Sequence, residues 1–555
     1  MTLRARWLGR VRWSDAHALQ RGLLDHAADD YLLLLEHPHV YTLGVRARPE
    51  HVLVPPASVG AELVRADRGG DVTYHGPGQL VGYPVVSVAD DPAAGRLHVH
   101  ALEDLVIDVL AELGLPGAGR LDGYPGIWVG ERKICAIGVR VSRGRTMHGF
   151  ALNVDPDLAM FDHIVPCGIR GKAVTSMAAE GVRVPMREVV DAVVRRAARQ
   201  WGGGQVERAG VAWSVRPDDL SAFSRGEGPG PLVAPPGPPT GQPVRLLGRL
   251  AAAGTDPSAG LPLAERKPPW LRVRAEMGTG YRRLRGTMRA LDLVTVCEEA
   301  GCPNIYDCWA DGTATFMING ERCTRACGFC LVDTRRPEAL DSSEPERVAE
   351  AVARMGLEHA VVTAVARDDL PDGGAAAFAA TVAAVRRRNP AAAVEVLVPD
   401  FKGDGPALDA VFAARPDVLN HNLETVARLQ RAVRPSASYA RSLSVLARAR
   451  RAGLTTKSGL ILGLGESVDE VVVALGDLRS VGVDIVTIGQ YLRPTGHHLP
   501  VARWWAPEEF DDLRRVGEGM GFAHVQASPL TRSSYHARQA AGAAASPRLP
   551  ATNLL

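Results

Sequence analysis

The sequence predicts an α/β protein of two domains, in which a mixed α/β domain precedes a domain with a parallel sheet and crossover helices. Three observations lead to this prediction. The chain has 555 residues, more than one hydrophobic core usually serves. A segment rich in proline and glycine interrupts it between Gly226 and Pro243. After that segment, apolar runs of strand length alternate with helical patterns, which is typical of βα units.

Composition and charge limit the function classes. Hydrophobic residues make up 46% of the chain, charged residues 23%, and the formal net charge is +2. The charges are mixed without long blocks of one sign, so nucleic acid is not an expected partner. No apolar run reaches the roughly 18 residues of a membrane span, and the first residues lack the apolar core of a signal peptide. The sequence therefore predicts a soluble cytoplasmic protein that binds no membrane.

The connector between the domains reads GEGPGPLVAPPGPPTGQP from Gly226 to Pro243. Such a sequence can neither bury apolar surface nor propagate a helix. Loosely patterned sequence follows, so the predicted linker covers residues 226–263 and would span on the order of 35 Å as a flexible coil. Residues 541–555, rich in alanine and proline, are predicted to form a disordered tail.

The first domain, residues 1–225, has a less regular pattern than the second. One helical pattern is clear, at Leu102–Leu113. Strand-like runs occur at Tyr31–Glu36, Gly82–Val88, Gly126–Val129 and Ile134–Val141. This mixture predicts a mixed α/β domain.

The second domain, residues 264–540, shows six strand-like runs separated by helical patterns. The strand-like runs are Thr315–Ile318, Ala360–Val365, Val394–Val398, Val418–Asn420, Gly459–Gly463 and Ile485–Ile488. The clearest helical patterns are Glu344–Met355, Ala375–Arg388 and Asp469–Val481. Repeated βα units imply a parallel sheet, either doubly wound or closed into a partial barrel. In both cases the functional site is expected at the carboxyl ends of the strands.

Six of the eight cysteines are clustered in the second domain. They form the triplets Cys297-x4-Cys302-x5-Cys308 and Cys323-x3-Cys327-x2-Cys330. Structural zinc usually needs four ligands, often from paired C-x2-C motifs, and neither triplet fits that pattern. Three thiolates at the spacing of the second triplet suit a [4Fe–4S] cluster with one open iron. This clustering indicates metal ligation in a reducing compartment.

The second triplet, with Phe329 before its last cysteine, resembles the radical-SAM superfamily. That resemblance implies a partial (β/α)6 barrel in which the open iron of the cluster binds S-adenosylmethionine. The run GLILGLGE at 459–466 is similar to the strand of that superfamily that lies against the adenosine. The cofactor contacts implied by this match are Gly459, Ile461, Gly463 and Glu466.

The resemblance over residues 264–540 is closer still, to lipoyl synthase. It rests on CEEAGCPN at 297–304 with DCW at 307–309, RDDLPDGG at 367–374, GQYLRP at 489–494 and RSSYHA at 532–537. It implies that Cys297, Cys302, Cys308 and Ser534 hold an auxiliary [4Fe–4S] cluster that donates sulfur. Cleavage of SAM at the other cluster would yield the radical needed to insert sulfur at C6 and C8 of an octanoyl chain. Ferredoxin or flavodoxin would be the reductant.

The first domain resembles lipoyl(octanoyl) transferase over about residues 5–220. The match rests on RGGDVTYHGPGQ at 68–79, RKICAIG at 132–138, HGFALN at 148–153 and VPCGI at 165–169. The family shares its fold with biotin and lipoate protein ligases. Octanoyl-acyl carrier protein is then the expected donor. The lipoyl domains of 2-oxoacid dehydrogenase E2 subunits and the glycine-cleavage H protein are the expected acceptors.

Acyl transfer from a thioester to a lysine amine suits a cysteine nucleophile with a nearby amine. We expect Cys167 to form the acyl thioester and Lys133 to serve as the base. The chain contains lysine only at positions 133, 172, 267, 402 and 457. Lysine can give up a proton whereas arginine stays charged, which favours a special role for Lys133. The expected substrate contacts are Arg68, Gly69, Gly70, Asp71, Val72, Thr73, Tyr74, His75, Ala136, Ile137, Gly138, Gly149, Phe150 and Ala151.

The sequence leaves the role of His75 open and assigns no catalytic role to Cys135. His75 could contact substrate or form a structural hydrogen bond. Cys135 has no matching role in the family and is interpreted as a small core residue. The glycine-rich run at 68–79, taken alone, could also be a phosphate loop or a plain turn.

Two rival functions belong to other classes. The first domain could be an ATP-dependent lipoate or biotin ligase, but such an enzyme would not need Cys167. The second domain could be an iron–sulfur scaffold, but a scaffold would not need the SAM-like strand at 459–466.

Overall fold

The computed structural model describes residues 2–169, 171–210, 244–272, 279–291, 293–295, 304–305, 308 and 313–545. The chain divides into two compact units, Met1–Val233 and Ala234–Leu555. The predicted segment 226–243, Cys297, Cys302 and residues 546–555 lie outside the described residues. No helix of the described parts is long and apolar enough to cross a membrane.

A mixed sheet forms the centre of the first unit. The strands of this unit are β1 (Leu3–Arg10), β2 (Asp30–Glu36), β3 (Val40–Leu43), β4 (Glu62–Arg65), β5 (Val72–His75), β6 (Gln79–Val85), β7 (Ala118–Leu121), β8 (Tyr124–Val129), β9 (Arg132–Ser142), β10 (Arg145–Asn153), β11 (Ala173–Val174) and β12 (Val206–Gly210). The large sheet has the order β12, β1, β2, β6, β10, β9, β8, β7, with β11 beside β9. β3 to β5 form a small second sheet.

Pairing in the large sheet changes direction at β2. β1 is parallel to both β12 and β2. From β2 through β6, β10, β9 and β8 to β7, every pair is antiparallel. The prediction of a mixed α/β domain is therefore confirmed.

Three helices pack on this unit: α1 (Trp13–His26), α2 (Ala94–Glu112) and α3 (Met186–Trp201). On α2, Leu102, Leu105, Val106 and Val109 recur at helical spacing and are fully or almost fully buried. They share one core cluster with apolar residues of α3 and of the sheet. This apolar stripe explains why α2 covers the sheet, since the buried area is what stabilises an amphipathic helix.

The second unit is built on a sheet that is parallel from β14 to β20. Its described strands are β13 (Val294–Thr295), β14 (Thr313–Ile318), β15 (His359–Ala364), β16 (Ala393–Leu397), β17 (Val418–Asn420), β18 (Thr455–Leu462), β19 (Ile485–Gln490) and β20 (His524–Ala527). The strands lie in sequence order, and β13 is antiparallel to β14. Among these residues the pairing runs from β13 to β20 without closing into a ring.

Helices connect the parallel strands, as the βα pattern predicts. The described helices of the second unit are α4 (Val244–Ala252), α5 (Thr279–Ala290), α6 (Glu344–Met355), α7 (Ala375–Arg388), α8 (Gly405–Ala413), α9 (Gln430–Val433), α10 (Tyr439–Arg451), α11 (Val468–Ser480), α12 (Pro507–Gly519) and α13 (Ala537–Ala545). The six predicted strands correspond to β14 through β19.

Both ends of the second unit contain helix where the sequence predicts linker or disorder. In α4, within the predicted linker, Leu250 is buried, and the nearby Leu261 N–H donates to Val501 O at 2.7 Å. At the other end, α13 extends five residues into the predicted tail, and Ala540 packs in a cluster with Val418 and Ile485. Apolar residues at helical spacing allow these segments to pack, which their composition alone does not reveal.

Candidate active sites

The first unit contains a cavity of about 650 Å³. It lies where β9 and β10 of the large sheet meet the segments 46–51, 68–75 and 167–169. Most of the predicted transferase residues line it, namely Arg68, Gly69, Gly70, Asp71, Thr73, His75, Lys133, Ala136, Ile137, Gly138, Gly149, Phe150, Ala151 and Cys167. The fold therefore brings four separate sequence motifs to one cavity.

Val72 and Tyr74 do not line this cavity, although the sequence predicts them as substrate contacts. Both side chains are fully buried and belong to a core cluster with Tyr41 and Phe161. They lie on β5, where successive side chains point to opposite faces, so only Thr73 and His75 face the cavity.

Cys167 lies in a tight turn at the edge of the cavity. Its backbone is in the left-handed region with φ of 56°, and the next residue, Gly168, has φ of 70°. A side chain at position 168 would meet Asp71 Oδ2 at 2.7 Å and His51 Cε1 at 3.3 Å. Glycine is therefore needed beside the thiol, which remains partly exposed to the cavity.

Lys133 approaches the same space from β9. Its side chain is buried, and its ammonium group lies 4.9 Å from the centre of the Trp128 ring. Lys133 and Cys167 also line a second, narrow space together with Gln79 and Asn153. The thiol and the amine of the predicted pair thus face a common volume.

The Arg68 side chain stabilises the loop at 68–71 through hydrogen bonds. Its buried guanidinium group donates to the carbonyl and hydroxyl oxygens of Thr42, both at 2.7 Å, and to the carbonyl oxygens of Gly69 and Asp71. Burial lowers the pKa of Arg68, and the nearby Cys167 acts in the opposite direction. The guanidinium group consequently places a positive charge near the thiol while it holds the loop.

The backbone of β9 and β10 limits which amides can face a substrate. Phe150 and Ala151 have strand partners on both sides, in β6 and in β9. The ladder therefore uses their backbone groups. Ala136, Ile137 and Gly138 have described strand partners only in β10, so amides at their other edge are the better candidates for a carbonyl oxygen.

His75 and Cys135 have well-defined surroundings. His75 lines the cavity, and its ring nitrogens lie 2.8 Å from Gln79 Oε1 and 3.3 Å from Thr42 Oγ1. The structural hydrogen bonds are therefore present, and contact of His75 with substrate stays a prediction. Cys135 is fully buried in the core, where burial raises its thiol pKa to about 12.

A charged cluster around Asp67 was not predicted from the sequence. The Asp67 carboxylate lies 2.7 Å from His148 Nε2 and 3.1 Å from His17 Nε2, and it also pairs with Arg21 and Arg140. Burial disfavours the carboxylate, but the hydrogen bonds with His148 and His17 outweigh it and lower the pKa of Asp67. His148 lines the cavity, so this cluster supports one of its walls.

The second unit has its own cavity, of about 390 Å³, at the carboxyl ends of the parallel strands. Cys323, Cys327 and Cys330 line it together with Phe329. The three thiols are partly exposed within the described structure. The Cys323 sulfur accepts hydrogen bonds from the backbone N–H groups of Arg325 and Ala366. Convergent thiols with backbone donors fit an iron–sulfur cluster.

Only two of the four predicted SAM contacts lie at this cavity. Gly459 and Ile461 line it. Glu466 instead accepts hydrogen bonds from the N–H groups of Gly463 and Leu464, and from Trp505 Nε1 at 3.0 Å. Its carboxylate therefore stabilises the turn that follows β18, away from the cavity.

Polar residues of the cavity that were not predicted lie after β17. Asn422 Nδ2 donates to Glu424 Oε1 at 3.0 Å, and Arg434 donates to the carbonyl oxygens of Asn422 and Leu423. Burial raises the pKa of Glu424, while Arg434 and Asn422 oppose that shift. Asn422, Glu424 and Arg434 all line the cavity. No cysteine motif marks them, so only the fold reveals them.

The predicted auxiliary site is described in part. Cys308 is buried, and Ser534 is partly exposed. Asn304 joins the two segments, because its Nδ2 donates to Leu530 O at 2.6 Å while its carbonyl accepts from Cys308 N–H at 2.9 Å. The cysteine segment and the serine segment are thus neighbours, which fits a common ligand set.

Three regions of the chain match known protein families. Residues 13–198 match the lipoyl protein ligase A/B catalytic domain. Residues 260–302 match the N-terminal domain of lipoyl synthase, and residues 317–478 match the radical SAM superfamily.

Lipoyl synthases of other organisms match about half of the chain. The lipoyl synthase of Rubrobacter xylanophilus is 55% identical over 309 residues, which are 55% of this chain and 93% of that protein. The lipoyl synthase of Mycobacterium tuberculosis is 58% identical over 273 residues, which are 49% of this chain and 88% of that protein.

Solved structures resemble each half at low scores. Lipoate-protein ligase A bound with ATP has a TM-score of 0.34 and 21% identity, over 41% of this chain and 92% of that chain. Methylornithine synthase has a TM-score of 0.32 and 15% identity, over 44% of this chain and 71% of that chain.

Proposed function

Since the chain belongs to the lipoyl synthase family and also contains a lipoyl protein ligase A/B catalytic domain, we propose that it carries out both steps that build a lipoyl group on a protein lysine. It is a bifunctional lipoate biosynthesis enzyme, an octanoyltransferase joined to a lipoyl synthase. Proteins with lipoyl domains are its substrates. S-adenosylmethionine and [4Fe–4S] clusters serve the second step.

The observation that carries the first step is the presence of Cys167 and Lys133 on one cavity. Lys133 accepts the thiol proton, and the Cys167 thiolate attacks the thioester carbonyl of the octanoyl donor. The donor C–S bond breaks, and the donor thiolate takes the proton from Lys133. An octanoyl thioester on Cys167 remains.

The acceptor lysine completes the transfer. Its amine attacks the Cys167 thioester, loses a proton to Lys133, and releases Cys167 as a thiolate. A backbone amide at the free edge of Ala136–Gly138 would stabilise the oxyanion formed in each step. Arg68 adds a positive charge near the thiol.

We propose octanoyl-acyl carrier protein as the donor. Two exposed arginines, Arg46 and Arg48, line the cavity, and neither forms an ion pair with an acidic side chain within the described residues. They can meet the phosphodiester of a carrier-bound arm. The acceptors are the lipoyl domains of 2-oxoacid dehydrogenase E2 subunits and the glycine-cleavage H protein.

For the second step, Cys323, Cys327 and Cys330 would hold the SAM-binding cluster, with Gly459 and Ile461 beside the adenosine. Cys308 would join Cys297, Cys302 and Ser534 around the auxiliary cluster. When bound, these groups supply the radical and the sulfur that unactivated C–H bonds require. Apolar residues of the cavity, including Phe329 and Leu492, would exclude water from the octanoyl chain. Ferredoxin or flavodoxin would provide electrons.

One experiment tests the proposal and its ATP-dependent rival together. The anaerobically reconstituted chain should contain about eight iron and eight sulfide ions, as two clusters require. Supplied with octanoyl-acyl carrier protein, an apo lipoyl domain, SAM and a reductant, it should form lipoyl product without ATP. A strict need for ATP and free octanoate would instead assign the first unit as a ligase.

A further inference from the structure

The loop that carries the second cysteine triplet is anchored by one of its own side chains, Arg325. We propose that Arg325, held by Asp368 and Asp400, is a positioning residue that aims two backbone N–H groups at the Cys323 sulfur and so raises the reduction potential of the SAM-binding cluster. This inference rests on the proposed function, because it assumes a cluster on Cys323, Cys327 and Cys330.

Arg325 is 7% exposed, and its guanidinium group pairs with two carboxylates. Its Nε and Nη2 each donate to one oxygen of Asp368 at 2.8 Å, and Nη2 also lies 2.7 Å from Asp400 Oδ1. This fork pattern uses the planar geometry that distinguishes arginine from lysine. Asp368 follows β15 and Asp400 follows β16, so one side chain ties the cysteine loop to two neighbouring strands.

A second set of bonds fixes the residue between Cys323 and Arg325. The backbone N–H and the hydroxyl of Thr324 both donate to Ala366 O at 2.9 Å, and the hydroxyl accepts from Asp368 N–H at 3.0 Å. The cysteine loop and the segment 366–368 are therefore held side by side.

This alignment determines which hydrogen bonds the Cys323 sulfur accepts. The N–H of Arg325 reaches the sulfur at 3.4 Å from the loop itself, and the N–H of Ala366 reaches it at 3.3 Å from the opposite segment. Both N–H groups can donate to the Cys323 sulfur only while the two segments keep their alignment. Hydrogen bonds to ligand sulfurs are among the features that set cluster potentials. They withdraw negative charge and so favour the reduced cluster.

Two other charged residues complete the surroundings. Arg441 lies 3.4 Å from Asp400, and Lys402 donates to the carbonyl oxygen of Asp368. Arg325 and Asp368 could affect the reduction potential through their charge alone or by positioning the N–H groups. The two explanations predict different changes of the potential in substituted proteins. If charge alone matters, Asp368→Asn raises the potential and Arg325→Lys leaves it unchanged. If positioning matters, both variants lower it, because each loses the fork and with it the alignment of the N–H groups.

The test measures the potential of the cluster on Cys323, Cys327 and Cys330 by electron paramagnetic resonance at defined solution potentials. Each protein carries the three-alanine substitution of Cys297, Cys302 and Cys308, so that only one cluster is observed. We expect the ratio of reduced to oxidised cluster to fall about tenfold in both Arg325→Lys and Asp368→Asn, which equals about 59 mV for one electron. An unchanged or raised potential in Asp368→Asn overturns the proposal.

Arg322→Gln is the matched control, since Arg322 precedes Cys323 but forms part-exposed ion pairs with Asp333 and Glu338. It removes one positive charge next to the cluster loop without touching the anchor. We expect its potential to change less than that of Arg325→Lys, and an equal or larger decrease would contradict the proposal.

The milder variant Thr324→Val keeps every charge and removes only the hydroxyl that joins the two segments. It provides a readout if the other variants fail to fold. A lower potential supports positioning, whereas an unchanged potential with an unchanged spectrum contradicts it. Iron content and lipoyl synthesis by the otherwise unsubstituted chain test the proposed function separately.

Discussion

Cys167 and Lys133 reach the first cavity from different parts of the first unit. Cys167 is held in a left-handed turn, whereas Lys133 extends from β9 along the Trp128 ring. A thiol that forms a thioester needs access to two large partners in turn, and its partial exposure meets that need. An amine that transfers protons needs a fixed position, which burial against an aromatic ring provides.

Substitutions at these two residues should distinguish the nucleophile from the base. Cys167→Ala should form no octanoyl adduct that hydroxylamine removes, as measured by intact mass. Lys133→Arg keeps the charge but cannot take up a proton, so transfer to the acceptor should fall about 10²- to 10⁴-fold. Lys172→Arg, at another lysine of the first unit, should transfer normally. A labile adduct on Cys167→Ala would falsify the assignment.

The two cysteine triplets should have separable functions. Replacing Cys323, Cys327 and Cys330 by alanine should abolish reductive SAM cleavage and lower the iron content from about eight to about four per chain. Replacing Cys297, Cys302 and Cys308 should preserve SAM cleavage but stop sulfur insertion. Product analysis by mass spectrometry distinguishes these outcomes. Lipoyl product from the second variant would disprove the role as sulfur donor.

The arginines at the first cavity should recognise the arm of the donor. We expect Arg46→Ala and Arg48→Ala each to raise the KM for octanoyl-phosphopantetheine about two- to fivefold, the usual range for an exposed ion pair. The KM for octanoyl-pantetheine, which lacks the phosphate, should not change. Arg65→Ala is the control, because Arg65 is exposed on β4 but does not line the cavity. Equal effects on both donors would exclude phosphate recognition.

Between elements, the parallel strands of the second unit enclose a buried ion pair. Lys457 on β18 lies 3.0 and 3.1 Å from the carboxylate oxygens of Glu395 on β16, and both side chains are inaccessible to solvent. Asn420 on β17 donates to the same carboxylate at 3.0 Å. Burial disfavours the charge, but Lys457 and His359 outweigh this effect and lower the pKa of Glu395 to about 2.

Removal of one partner of this pair should destabilise the second unit. Glu395→Gln leaves the Lys457 ammonium buried without its counter-charge, which typically costs about 3–5 kcal/mol in the free energy of unfolding. The double variant Glu395→Leu with Lys457→Met should recover most of this loss. Denaturant unfolding followed by circular dichroism measures both. A single variant as stable as the native chain would show that the pair contributes little.

The same pair gives a pH dependence with a defined sign. The folded pKa of Glu395, about 2, lies below the ordinary value of about 4.3. Its contribution is therefore complete above about pH 5 and is lost as the pH falls toward 2. Glu395→Gln should flatten the acid limb of the stability curve.

The strands of the second unit could be predicted well because the apolar pattern that identifies a buried parallel strand lies within the strand itself. Parallel strands are buried on both faces, so apolar residues dominate the predicted runs, as in β14 and β15, although Glu395 interrupts β16 and Lys457 lies in β18. β20, His524–Ala527, has only two apolar residues and was not predicted. In the first unit, β1 carries Arg4 and Arg6 between its apolar residues and was also missed.

The chemistry of the sites was predictable only where residues cluster in sequence. The cysteine triplets are visible because their ligands lie within a few residues of each other. The Asp67 cluster joins residues 17, 67 and 148, which only the folded chain brings together. For the same reason, the sequence shows the motif RDDLPDGG but not the hydrogen bonds that Arg325 donates to Asp368. Alternation on β5 likewise separates Tyr74 from the cavity although the motif contains it.

For the whole molecule, the sequence of the predicted connector suggests that the two catalytic units act independently. If residues 226–243 act as the short flexible linker that their composition predicts, the two units have a mutual effective concentration of order millimolar. That concentration helps only if the octanoylated acceptor stays near the chain. A released acceptor diffuses away far faster than the radical reaction proceeds.

We therefore predict little channelling between the units. Halves separated at Gly230 and mixed in equal amounts should form lipoyl product at nearly the rate of the intact chain. Excess unlabelled octanoyl-acceptor added during turnover should dilute labelled product equally for both. If only the split pair shows dilution, the intact chain retains its acceptor.

An octanoyl thioester on an enzyme can acylate the enzyme's own lysine amines, and this chain has few lysines. Lys133 and Lys457 are buried, and Lys172 is held between Glu131 and the Tyr124 ring. Lys267 and Lys402 belong to the second unit. Positive charge elsewhere is carried by arginine, which stays protonated and does not become acylated. Among the five lysines, Lys133 is the one that lines the Cys167 cavity, so self-acylation during long storage of the octanoylated protein should be confined to this side chain.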